Sequence, residues 1–168
     1  MGLRVASLLM SYPSPNKVGL MKTATIYERK GKLYVHSSSK TTAGVWVINA
    51  PVLAVDKEDA GEIGRAIREC LAASREGISH PKSFANLFNP VLDLAGVKSF
   101  STFVRSAKCV EIETMDDAVV AFIPTQNEGA NDGFAPLPNK TEAILGSDEA
   151  LGSAAVAALA KAKPARVA

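Results

Sequence analysis

The stretch KCVEIETMDDAVVAFIPT, residues 108–125, constrains the fold more than any other part of the sequence. Two apolar residues alternate with Glu111 and Glu113, which is the period of two expected of a strand with one buried face. A polar turn at residues 115–117 separates this run from a second β-branched and aromatic run that begins at Val119. The stretch therefore predicts an antiparallel hairpin, with both glutamates on the solvent-facing side of their strand.

Further strands are expected in the first third of the chain and near its end. Residues 21–35 contain two β-rich runs around the glycine-containing turn RKGK, which predicts another hairpin. Residues 44–56 add two strand segments, and Pro51 marks an edge, a bulge or a strand boundary between them because proline lacks a backbone donor. A short strand is expected at residues 141–145. These elements together predict one extended sheet.

The hydrophobic period changes from two to between three and four after Asp56. Residues 57–74 are accordingly predicted to form an amphipathic helix. Short helices are expected around Pro90 and Gly96, and an alanine-rich helix follows Ser147, whose hydroxyl suits an N-cap. The order of the elements predicts an α+β protein, a single domain with a largely antiparallel sheet packed with several helices.

The predicted elements lie within residues 21–162, which we interpret as the domain. Residues 1–20 show no sustained periodicity and are interpreted as a flexible N-terminal extension, with Met21 as an alternative translation start. Residues 163–168 are interpreted as a loose tail. A chain of 168 residues that is 47% hydrophobic is large enough to bury one core.

Charge and cysteine content narrow the expected partners and compartment. The formal net charge is +2, so no global field selects nucleic acid or an anionic membrane. The apolar run near the start is too short for a secretory core or a membrane span. Cys70 and Cys109 show neither metal-ligand spacing nor a disulfide framework. We therefore expect a cytoplasmic protein without a membrane-bound segment.

The stretch HSSSKTTAGVW, residues 36–46, is the first candidate for chemistry. Ser37 and Lys40 have the Ser-x-x-Lys spacing of serine acylases, but the Ser-Asp-Asn and Lys-Thr-Gly elements of those enzymes are missing. We interpret the stretch as a polar loop at the end of a strand, whose hydroxyls satisfy backbone groups. Trp46 at its end is interpreted as core packing.

An enzyme remains the alternative interpretation. His36 and His80 are the two imidazoles of the chain, and with Lys40 they are candidates for a small hydrolase or nuclease, although no pattern brings them together. Asp116 and Asp117 are more typical of a solvated turn than of a metal site. No phosphate-binding glycine motif occurs, so neither a cofactor nor a metal is predicted. A plain nucleic-acid binder is a third possibility without a specific motif.

Four stretches carry a family resemblance: MKTATIYERKGKLYVHSSSKTTAGVW, HPKSFANLFNPVLDLAGVKSFSTFVRSAKCV, FIPTQNEGANDGF and the PLP that follows. Together they resemble the CdiI immunity proteins of bacterial contact-dependent growth inhibition (CDI) systems, over residues 21–145. The resemblance implies a non-catalytic cytoplasmic protein that binds the C-terminal toxin domain of its cognate CdiA exoprotein. Toxins of such systems are often nucleases, so the resemblance implies an RNase that is neutralised when its active site is occluded.

Two regions are predicted to contact the toxin, since inhibitors of basic nucleases gain from acidic surfaces. We favour the polar loop after the last hairpin, where directional hydrogen bonds surround one apolar anchor. Its candidates are Gln126, Asn127, Glu128, Asn131, Asp132 and Phe134. The second region is the hairpin itself, with Lys40 as a possible rim residue. Its candidates are Glu111, Glu113, Asp116 and Asp117.

Overall fold

The computed structural model describes residues 20–166 as an eight-stranded sheet with four helices. The elements are β1 (Lys22–Arg29), β2 (Lys32–Thr41), β3 (Trp46–Asp56), α1 (Ala60–Ala73), β4 (Glu76–Ile78), α2 (Asn89–Ala95), α3 (Phe100–Arg105), β5 (Ala107–Thr114), β6 (Val119–Asn127), β7 (Phe134–Pro136), β8 (Thr141–Ile144) and α4 (Asp148–Lys161). The strand order is β3-β2-β1-β5-β6-β7, with β4 parallel to β2 and β8 antiparallel to β6. The predicted α+β class with a largely antiparallel sheet is confirmed. Of the predicted N-terminal extension, residues 1–19 lie outside the described residues.

Both predicted hairpins are present. Lys30 and Gly31 form the first turn in left-handed conformation, with φ of 52° and 77°, which matches the right-handed twist of the flanking strands. The two segments around Pro51 form one strand, β3, at the edge of the sheet. The β2–β3 register shifts between His36 and Ser37, so Pro51 lies opposite an irregularity where a missing donor is tolerated.

The polar stretch after His36 is not a loop, which corrects the prediction for HSSSKTT. Residues 36–41 lie within β2, where Ser37, Ser38 and Ser39 are all buried, and the turn to β3 begins at Thr42. The serines are buried because they lie against the end of α1, where the chain that leaves the helix needs hydrogen-bonding partners. The Ser74 hydroxyl donates to the Ser38 carbonyl at 2.5 Å, and the Ser39 hydroxyl accepts from the Arg75 backbone N–H at 2.9 Å. Serines therefore join β2 to the helix end, a tertiary role that a local pattern does not reveal.

Helices α1 and α4 cover one face of the sheet, and their contact is unusually close. Asp59 and Ser147 cap them, each accepting from the backbone N–H three residues later. Gly64 of α1 lies against the backbone at the start of α4, and Gly152 of α4 lies against the backbone at the start of α1. The main apolar core lies between these helices and the sheet.

Helices α2 and α3 cover part of the opposite face with an aromatic cluster. Tyr27 of β1 lies at its centre, with ring centroids 5.6 Å from Phe88, 5.4 Å from Phe103 and 5.7 Å from Phe134. The Phe88 and Phe103 rings meet Tyr27 edge to face, a favourable arrangement of aromatic quadrupoles. This aromatic cluster covers only one part of the sheet face. The rest of the face, beside the cluster, carries polar side chains.

Several residues near the C-terminus that are predicted to lie in loops belong to strands or bond to a strand. Gln126 and Asn127 belong to β6, and Phe134 begins β7. Lys163, predicted to lie in a loose tail, is bonded to the β6 backbone: its N–H donates to the Thr125 carbonyl at 2.9 Å. The tail is thus attached to β6 through at least this residue.

Candidate functional site

A pocket opens on the sheet face that carries α2 and α3, beside the aromatic cluster. We call it the sheet-face pocket. It is narrow: its empty space is about 550 Å³ with the open mouth included, and about 50 Å³ of this is available to the centre of a water molecule. Its lining consists of Thr25, Tyr27, His36, Ser38, Trp46, Val47, Ile48, Phe84, Cys109, Glu111 and Phe134.

Strand register explains why these residues meet. Thr25 of β1 pairs with His36 of β2 on one side and with Glu111 of β5 on the other, so the three form one row across the sheet. Tyr27 and Cys109 are partners in the next row. Because side chains two residues apart on a strand share a face, both rows face the pocket.

The lining is rich in neutral and acceptor groups. Burial lowers the pKa of His36 to about 4, so its ring is neutral at pH 7. His36 Nδ1 lies 2.9 Å from the Ser37 carbonyl oxygen; since a carbonyl only accepts, Nδ1 carries the proton and Nε2 is left as an acceptor. Burial raises the pKa of the Tyr27 hydroxyl well above its usual value, and the neighbouring Cys109 and Glu111 raise it further. Glu111 is the single acidic residue in the described lining, which contains no lysine or arginine.

An acidic depression adjoins this pocket along β5. Glu113, Ala121 and Glu142 form one row across β5, β6 and β8, and Asp116 and Lys140 complete the rim. Lys140 lies 3.7 Å from Glu142. The prediction that Glu113 lies on a solvated face is wrong, since only 5% of its surface is exposed.

The other hairpin and rim candidates have separate positions. Asp117, at the turn with φ of 59°, accepts from Lys22 Nζ at 3.2 and 3.3 Å. Lys40 lies on β2 beyond Ser38, with its ammonium 4.0 Å from Glu76.

Half of the favoured loop candidates have internal roles. Asn127 donates to the carbonyls of Val104 and Ala107 at 2.7 and 2.9 Å, and Gln126 donates to Pro164 at 2.9 Å. Phe134 is buried against Tyr27.

The remaining loop candidates are the exposed residues Glu128, Asn131 and Asp132. Their contact with a toxin stays a prediction.

The residues of the alternative enzyme do not form an assembled set. His36 contacts a backbone carbonyl, while His80 Nδ1 lies 2.9 Å from the Thr41 hydroxyl. Lys40 lies near Glu76. Within residues 20–166 no hydrogen bond or ion pair joins any two of the three, so the geometry provides no acid, base and nucleophile in contact.

No group of three His, Cys, Asp or Glu side chains among residues 20–166 is arranged to hold a metal ion. In the same range, no helix is both long and apolar enough to cross a membrane.

The sequence of the whole domain matches a known family. The model of the CdiI family, described as CDI immunity protein, matches residues 22–162. The chain belongs to the CdiI family. This CDI immunity protein thus has its family match over the segment that contains every strand and helix described above. No curated protein matches its sequence.

Two solved structures share the fold of this CDI immunity protein. A protein of unknown function from Neisseria meningitidis superposes with a TM-score of 0.71 at 13% identity, covering 92% of this chain and 100% of the other. A chain of the CdiA-CT/CdiI toxin and immunity complex from Yersinia pseudotuberculosis superposes with a TM-score of 0.68 at 12% identity, covering 86% and 98%. At such identities the likeness establishes the fold.

The pocket contains residues that the sequence did not indicate as a site. Trp46 is buried, as its interpretation as core predicts, yet it also lines the pocket. Thr25 carries no motif, and Phe84 lies in a loop at least 25 residues from any other lining residue in sequence. The strand register, with Glu111 opposite Thr25, connects the strand positions, whereas Phe84 reaches the pocket from the loop before α2.

Proposed function

We propose that this CDI immunity protein acts in the cytoplasm by binding the C-terminal toxin domain of a cognate CdiA exoprotein, and that the toxin is an RNase whose active site it covers. The observation that carries the proposal is the family match over residues 22–162. The likeness to a chain of a toxin and immunity complex supports the same partner class.

The acidic depression supports a basic partner despite the positive charge of the whole chain. Three carboxyl-bearing residues, Glu113, Asp116 and Glu142, line the depression together with one lysine, Lys140, whereas the chain carries +2 overall. An RNase needs positive charge to bind the phosphate backbone. A negative patch on the inhibitor accelerates association with such a surface and competes with RNA for it. We propose this depression as one part of the contact surface, with Glu128, Asn131 and Asp132 as a second part.

The first experiment tests immunity itself. Bacteria that express the toxin domain encoded beside this gene are grown with and without the protein, and the purified pair is tested for co-purification. We expect rescue of growth and a stable complex. Toxin-expressing cells that die at the same rate in both strains, with no complex in vitro, would refute the proposal.

Occlusion has a separate test, because an inhibitor can also act at a distance from the active site. A catalytically inactive toxin variant is loaded with labelled RNA, and the immunity protein is added. Occlusion predicts that the RNA is released as the complex forms. A ternary complex with bound RNA would exclude occlusion while leaving immunity intact.

The charge argument is tested by the salt dependence of association. The double variant Glu113→Gln/Glu142→Gln should lower the association rate at low salt by about tenfold, with a smaller effect at high salt. The control for net charge is Glu58→Gln/Glu69→Gln, which also removes two carboxylates but from exposed positions on the α1 side of the sheet. Equal effects of both variants would show that only net charge matters.

A further inference from the structure

The sheet-face pocket has a shape and a lining that select one kind of guest. Its narrow interior, about 50 Å³ for the centre of a water molecule, suits one extended side chain and excludes a nucleotide or a folded segment. Aromatic residues from four separate parts of the chain contribute to the lining: Tyr27, Trp46, Phe84 and Phe134. A side chain that enters must therefore tolerate contact with aromatic rings.

The polar part of the lining favours a donor that carries positive charge. His36 presents an unprotonated Nε2, and its pKa of about 4 keeps the ring from repelling a cation at pH 7. Thr25 and Ser38 add hydroxyl groups that can accept, and Glu111 adds the carboxylate. Lys40, which follows Ser38 on β2, lies outside the lining, and its ammonium is 4.0 Å from Glu76.

Among natural side chains, arginine fits this combination best. Its guanidinium is flat, stacks on aromatic rings, has five N–H donors and is less strongly hydrated than an ammonium group. Lysine has a compact charge that gains less from ring contacts. We propose that the sheet-face pocket receives one arginine side chain of the toxin, with the guanidinium bonded to Glu111 against the aromatic lining.

This inference rests on the proposed function for its partner, but the chemistry of the pocket can be tested without the toxin. Trp46 is the single tryptophan of the chain and lines the pocket, so its fluorescence reports on occupancy. N-acetyl-arginine amide and N-acetyl-citrulline amide are titrated separately into the protein. The citrulline compound has nearly the same shape as the arginine compound but lacks the charge. We expect a saturable change in Trp46 emission with the arginine compound and at least about tenfold weaker binding of the citrulline compound.

The variant Glu111→Gln extends the test to the toxin. It keeps the size of the side chain and should weaken both the arginine compound and the toxin by about tenfold or more. Glu58→Gln, on the α1 side, is the control and should leave both affinities unchanged. Thermal unfolding of each variant checks that the fold is retained.

The outcomes separate the two proposals. No saturable arginine response in the wild-type protein overturns the inference, whatever the toxin does. If the Glu111→Gln variant binds the toxin as tightly as the wild-type protein does, the inference is also overturned, while the proposed immunity function is retained. A wild-type protein that binds the arginine compound but not the toxin would refute the proposed function and with it the assignment of the guest to a toxin.

Discussion

The contact between α1 and α4 makes a quantitative prediction through Gly152. A methyl group added there would overlap the backbone of Ala60, including its carbonyl. Backbone atoms cannot rotate away as a side chain can, so the two helices must separate or tilt. Overpacking of this kind costs about 1–3 kcal/mol, and here we expect the upper end of that range. Alanine regains roughly 1 kcal/mol of helix propensity over glycine, so Gly152→Ala should lower the free energy of unfolding by about 2 kcal/mol.

Gly61 is the matched control within the same helix pair. A methyl group there meets the Asp59 and Glu149 carboxylate oxygens at 3.6 Å, which is ordinary contact. Gly61→Ala should therefore stabilise the protein by up to about 1 kcal/mol, the propensity gain alone. Urea unfolding followed by circular dichroism measures both values, and for a domain of this size 2 kcal/mol lowers the melting temperature by roughly 4–8 °C. The reasoning is refuted if Gly152→Ala is as stable as the wild-type protein or if the two variants change stability alike.

Two further predictions concern buried polar groups. The pKa of His36 falls from 6.5 to about 4 on folding, so the unfolded chain binds a proton first as the pH decreases. The free energy of unfolding should therefore decrease by roughly 3 kcal/mol as the pH falls from 6.5 to 4. His36→Gln should remove that part of the pH dependence of unfolding, whereas His80→Gln, at an exposed ring, should retain it. Ser74 accepts from the Thr23 backbone N–H at 2.9 Å and donates to β2, so Ser74→Ala should cost about 2 kcal/mol in urea unfolding. Ser153→Ala on the exposed side of α4 should cost nothing, and a similar loss in both serine variants would contradict the assigned role of Ser74.

Local patterns predicted the elements of this fold because their causes are local. The β5–β6 hairpin follows from alternation, and α1 follows from helical periodicity after a capping Asp59. Local sequence patterns gave the wrong structure where a residue's hydrogen-bonding partner was remote in sequence. Ser38 and Ser39 look like loop residues until the Ser74 hydroxyl and the Arg75 N–H, at the end of α1, donate hydrogen bonds to them. A polar run is therefore ambiguous until its partners are known.

The candidate site illustrates the same limit more strongly. Glu111 and Glu113 were correctly placed on one strand, but a period of two gives only a shared face and not what covers that face. In the structure, α2 and α3 cover part of that face, so Glu111 lines a pocket beside an aromatic core and Glu113 is buried in the adjoining acidic depression.

The favoured loop shows the same limit, because part of it has partners within the chain that the sequence did not indicate. Its amides and its aromatic ring resembled binding groups, yet Asn127 bonds the chain between α3 and β5, and Phe134 completes the aromatic cluster. Residues that suit an interface also suit a core boundary, since both need directional hydrogen bonds beside apolar surface. What distinguishes them is whether their partners lie in the same chain. For Gln126, Asn127 and Phe134 internal partners exist, so the search for toxin contacts belongs first with the acidic depression, the sheet-face pocket and the exposed Glu128, Asn131 and Asp132.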